Sequence, residues 1–91
     1  MTPEEKKRRL DRMAEIVKTL RGGVRETSLI SELIHLANDP GFTGMDGRRN
    51  RLAGCLERLK GVNQKSAVEN WWEKIDDLIY DFPTEIELYR R

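Results

Sequence analysis

The residues that could do chemistry are few and scattered. His35 is the only histidine and Cys55 the only cysteine in the chain. His35 falls within the run Leu29, Ile30, Leu33, Ala37. At about 100° per helical residue it lies roughly opposite the mean direction of those apolar side chains, so it is expected to be solvated. No further His or Cys stands beside it at a metal-ligand spacing, and no metal site is expected. Cys55 lies between Leu52 and Leu59 on an apolar stripe, where a thiol packs as a small unreactive hydrophobe. A single cysteine also leaves no intrachain disulfide. Asp and Glu number sixteen, but their spacing singles out no acid–base pair. Gly22-Gly23 and Gly41…Gly44…Gly47 lack the strand-before, helix-after setting of a phosphate-cradling loop. The expectation is a protein that is not an enzyme and takes no cofactor.

Charge offers two candidate surfaces. Lys6-Lys7-Arg8-Arg9 with Arg12 opens the chain, and Arg48, Arg49 and Arg51 open the third helix. Arginines at a helix N-terminus suit phosphates, which makes a nucleic-acid-binding regulator the rival reading. Against it, the connection from Pro40 to Gly47 is too long for the usual turn of about 3–4 residues in a helix-turn-helix. Glu4, Glu5, Asp11 and Glu15 dilute the first cluster, and no aromatic residue accompanies either one. A pI near 7.9 also falls short of a basic footprint.

The second surface is acidic. Glu69, Glu73, Asp76 and Tyr80 are spaced 4-3-4 along one strip of the fourth helix, with Asn70, Asp77 and Asp81 beside it. The pair Trp71-Trp72 runs alongside; the stripe is wide enough to take both into the core, with Trp71, Ile75, Leu78, Ile79 and Phe82 expected to be mostly buried, and the sharper alternative puts one indole on a binding surface. Carboxylates flanking Tyr and Trp suit a basic protein partner, or imitate phosphates.

These residues must be positioned by helices. Thr2 caps the first, Pro3 suits its first position, and Leu10, Met13, Ala14, Val17 and Leu20 line one face, widened by Ile16. Glu4–Arg8 and Glu5–Arg9 are favourable i,i+4 pairs, and Gly22-Gly23 ends the helix. The second helix starts at Thr27 or Ser28 and stops at Asn38-Asp39-Pro40-Gly41. Phe42 and Met45, in an ordered loop, plug the end of the core. The third helix carries Leu52, Cys55, Leu56 and Leu59 and closes on Gly61. Asn63 is the expected cap of the fourth, in which Val68, Trp71, Trp72, Ile75, Leu78, Ile79 and Phe82 form the broadest stripe. Pro83 stops it, and Thr84 caps a last short turn holding Ile86, Leu88 and Tyr89. Helices are thus expected over 3–21, 28–38, 47–60 and 64–82. No segment alternates as a strand would.

Ninety-one residues allow one domain spanning 1–91. Charged residues make up 36% of the chain, yet Leu, Ile, Val and Phe reach 22 of 91, enough to fold around a small core. No apolar run approaches the roughly 20 residues of a membrane span, and nothing reads as a secretory leader, so a cytoplasmic location is expected. Net charge is +1, but residues 1–60 carry +4 and residues 61–91 carry −3. That imbalance could serve a partner or pair the ends of the domain. The fold expected is an all-α four-helix bundle or an orthogonal variant of one. The function expected is stoichiometric binding of a protein partner, as an inhibitor of the immunity or anti-defence type from a bacterium or phage. Self-association into a homodimer is left open, since a chain this small buries only about 60–65% of its unfolded surface.

Overall fold

Thr2 and Pro3 begin the first helix as their chemistry dictates. In the computed structural model, which describes residues 1–91, Thr2 Oγ1 accepts a hydrogen bond from the Glu5 amide at 3.1 Å. Helix α1 runs Pro3–Arg21. Glu5–Arg9 forms at 3.4 Å and Lys7–Asp11 at 2.8 Å, whereas the expected Glu4–Arg8 pair does not form. Gly22 closes the helix by donating to the Lys18 and Thr19 carbonyls. Gly23 then takes φ 102°, the one left-handed residue of the chain, which a side chain would strain.

Helix α2 is Thr27–Ala37. Glu26 occupies its N-cap without a side-chain bond, so Thr27 and Ser28 lie in the first turn and do not cap. A short 3-10 helix, Pro40–Met45, leads directly into α3, Asp46–Lys60. Asp39 Oδ1 caps the 3-10 turn by accepting from the Gly41 amide at 2.8 Å. Phe42 and Met45 are completely buried, as their place in the loop required. Helix α4 is Lys65–Tyr80 with Gln64 at its N-cap, so Asn63 stays outside and does not cap.

The fourth helix ends at Tyr80, two residues before its expected bound, and a fifth helix follows in which Thr84 lies inside the first turn and does not cap. The chain breaks at Asp81, and α5 runs Phe82–Arg90. Pro83 sits in the first turn of α5, where a missing N–H costs nothing; inside a continuous helix its ring would meet the Ile79 carbonyl. The expected last turn is therefore a helix of nine residues, long enough to pack.

No strand is present, and the elements form the all-α bundle that the patterns implied. Each helix packs on the next, and α5 returns to α1, while α1 also touches α4. The ring is elongated, 44 × 23 × 18 Å. All 18 buried residues are apolar, and no polar or charged residue is buried.

One expectation about the core fails. Trp72 enters it, at 5% exposed, while Trp71 and Leu78 stay half-buried. Ile75 and Ile79 set the inward direction of α4, and Trp72 lies three and seven residues before them. Trp71 is turned a further 100° toward α3. Truncation should reflect this ranking. Ile75→Ala should cost about 2–5 kcal/mol, and Leu78→Ala under about 2 kcal/mol, in urea unfolding followed by circular dichroism. Equal losses would remove the distinction between the inward and lateral faces of α4.

Candidate functional site

The acidic strip of α4 is divided by the end of α1 and the loop that follows it. Asp76 Oδ2 accepts from Arg25 at 3.0 Å, and the Arg25 guanidinium also lies 5.2 Å from the Trp72 ring centroid. Tyr80 is 71% exposed, with the Arg21 guanidinium 5.4 Å from its ring. Glu69 and Glu73 remain exposed and free of ion pairs. Of the four residues singled out from the sequence, two thus face solvent as acids and two hold cations of the same chain.

The arginines that open α3 are divided too. Arg48 Nη1 donates to the Leu78 carbonyl and to Asp81, and Nη2 lies 3.8 Å from Glu85. Its guanidinium stands 5.7 Å from the Phe82 ring, and the side chain is only 19% exposed. Leu78 belongs to the last turn of α4, where carbonyls have no helical partner, so Arg48 caps α4 from the neighbouring helix. Arg48 Nε is buried without a partner. Arg49 donates to Asn38 at 2.6 Å and pairs with Asp46 at 3.2 Å, also 19% exposed. Arg51 alone of the three is exposed and unpaired.

The geometry brings Arg51 instead to a groove between α3 and α4 that sequence reasoning missed. Arg51, Gly54, Cys55 and Arg58 line it from α3, and Trp71, Lys74, Asp77 and Leu78 from α4. Positions 51, 54, 55 and 58 recur at three- and four-residue steps, so they share one flank of α3. That periodicity was visible in the chain, but its partner flank on α4 was not. Lys74 Nζ sits 4.4 Å from the Trp71 ring centroid. A second open depression, bordered by Ala67, Asn70 and Asp77, lies against Trp71 as well. Gly54 leaves open space where a Cβ would be. The main groove is about 470 Å³ but shallow, and it encloses nothing. Small-molecule sites bury most of their ligand, which this shape cannot do.

Catalytic groups are not assembled there. Burial pushes the Cys55 thiol up, against the pull of nearby Lys74, so the thiolate nucleophile is disfavoured. His35 is exposed on the outer face of α2, as its register required. No group of three or more His, Cys, Asp or Glu side chains is arranged to hold a metal ion. No helix is long and apolar enough to cross a membrane. Comparison with known families, curated proteins and solved structures finds no match.

Three carboxylates in cross-helix ties carry a pH signature. Lys7 and Arg90 hold Asp11 below the usual range, Arg12 does so for Glu32, and Arg48 for Asp81. The unfolded chain binds these protons more readily. Their stabilisation is therefore present above about pH 4.5 and lost as pH falls through the folded values. Thermal midpoints should hold between about pH 7 and 5, then fall toward about pH 3. The double variant Glu32→Gln/Asp81→Asn should start lower and fall less steeply.

Proposed function

We propose that this chain is a small non-enzymatic protein that acts by binding a protein partner stoichiometrically, with the surface of α4 around Trp71. The observation that carries the reading is the position of Trp71. It is a large aromatic held half-buried between two open depressions. Its neighbour Trp72 is fixed in the core and sets the register of α4. A rigid indole at the surface gives much contact area for little lost side-chain freedom, and such residues dominate protein interfaces. Glu73 borders the second depression beside Trp71 and, with exposed Glu69, adds a charged edge.

A surface of this kind, without chemistry beside it, suits an inhibitor that covers a partner's working face. The immunity or anti-defence type from a bacterium or phage is the reading we favour within that class. The free thiol of Cys55 suits the reducing cytoplasm, which is the location proposed. Nucleic-acid binding through Arg48, Arg49 and Arg51 has less support, because two of these three guanidiniums are engaged within the chain.

The test is recovery of a complex from the native host with the tagged full chain. Near-equal amounts of one protein are expected. Trp71→Ala should lose that protein while keeping its helical circular dichroism and most of its thermal midpoint. Full retention by Trp71→Ala would remove α4 from the interface. Recovery of nucleic acid that dissociates as salt rises would overturn the protein-partner reading.

A further inference from the structure

The groove between α3 and α4 differs in charge from the strip beside it. Arg51 and Arg58 stand seven residues apart on one flank of α3, two helical turns or about 10.5 Å. Neither makes an ion pair, and both are exposed. Lys74 faces them from α4, its ammonium on the Trp71 ring and bound to no carboxylate. Between these cations lie the half-buried apolar surfaces of Cys55, Trp71 and Leu78. Elsewhere in the chain, most arginines are matched by a carboxylate of a neighbouring turn or helix, as Arg12 is by Glu32, Arg25 by Asp76 and Arg90 by Asp11. In this groove three cations outside any ion pair surround an apolar floor, with Asp77 the one carboxylate among the lining residues.

Resting on the protein-binding reading above, we propose that this groove seats an acidic amphipathic helix of the partner. Its apolar side chains lie on Trp71 and Cys55, and its carboxylates, spaced i and i+7, meet Arg51 and Arg58. The spacing follows from the register, since two turns on α3 match two turns on a helix laid along it. The partner chemistry is thus the opposite of the basic partner that the acidic strip alone suggested.

Two other occupants fit less well. A nucleic-acid backbone, charged at every residue, presents no apolar face to the floor of Cys55, Trp71 and Leu78. A second copy offers no two unpaired carboxylates seven residues apart on one helix: those of α4, Glu69, Glu73 and Asp77, recur every four residues.

The experiment uses the ¹⁵N-labelled full chain and three probes: a helical peptide with Glu at i and i+7 and Leu between them, its Lys-for-Glu counterpart, and a single-stranded oligonucleotide. The acidic peptide should shift the Trp71 indole and Gly54 amide signals saturably and leave the Trp72 indole unmoved. Arg51→Glu/Arg58→Glu should weaken that binding by about tenfold or more, with the thermal midpoint retained. No shift with the acidic peptide at millimolar concentration overturns this inference and leaves the protein-binding reading standing. A response to the basic peptide alone, at Glu69 and Glu73, does the same. A Trp71 shift with the oligonucleotide alone overturns both readings. A Trp71 shift that tracks protein concentration without any probe assigns the groove to a second copy and overturns the acidic-helix proposal.

Discussion

Pro83 is the constraint on which the closed ring of helices depends. Without an N–H, and with a ring that would strike the Ile79 carbonyl, it cannot continue the helix that brings Trp72, Ile75 and Ile79 into the core. The chain turns at Asp81 and α5 folds back along α1. Phe82 and Ile86 then become core residues. Two polar contacts fix the returning helix at its far end. Tyr89 Oη accepts the Gly44 amide at 2.7 Å, and Arg90 pairs with Asp11 at 2.9 Å. The Tyr89 ring also meets Phe42 edge-on, with centroids 5.3 Å apart. A Cβ at Gly44 would collide with that hydroxyl, so a side chain there must displace the Tyr89 ring.

Because the core contains no polar side chain, the free carbonyls at helix ends are served from the rim. Two arginines do this across helix boundaries. Arg9 donates to the Leu36 carbonyl in the last turn of α2 at 3.0 Å, and Arg48 does the same for Leu78 of α4. Each guanidinium keeps further donors for a carboxylate, which a lysine could not present in the same planar fork. This use of cations also explains why runs of basic residues in the chain do not become basic patches. The imbalance between residues 1–60 and 61–91 is partly resolved inside the molecule, through Arg25–Asp76 and Arg48–Asp81. At the opposite end Arg90–Asp11 runs against that imbalance, with the cation on the later helix.

What remains after these pairings is a selected surface. The two flanks of α4 differ: Glu69 and Glu73 are free on one, and the other faces the α3–α4 groove with its unpaired cations and the Trp71 ring. Adjacent tryptophans, 100° apart on one helix, thus divide two tasks. Trp72 anchors α4 to the core, and Trp71 is held out at its edge by the same anchoring. The proposed recognition role rests on this division.

The sequence by itself determined the helical character and most element boundaries, because these rest on local chemistry. Apolar spacing of three and four, the Thr2–Pro3 start, and glycines at the ends of α1 and α3 act within a few residues of one another. The burial of Phe42 and Met45 was legible for the same reason. The break before Pro83 was legible as a stop, but the length of what followed was not, since a nine-residue helix is stable only by packing on α1. The register of Trp71 against Trp72 depended on which flank α3 would occupy. The candidate site was read least well. Glu69, Glu73, Asp76 and Tyr80 share one face by helical arithmetic, yet Arg21 at the end of α1 and Arg25 in the loop after it reach two of them. Arg48, Arg49 and Arg51 are neighbours in the chain, yet only Arg51 is free. Whether a charge faces solvent or a partner within the fold is decided by groups dozens of residues away, and only the tertiary structure brings them together.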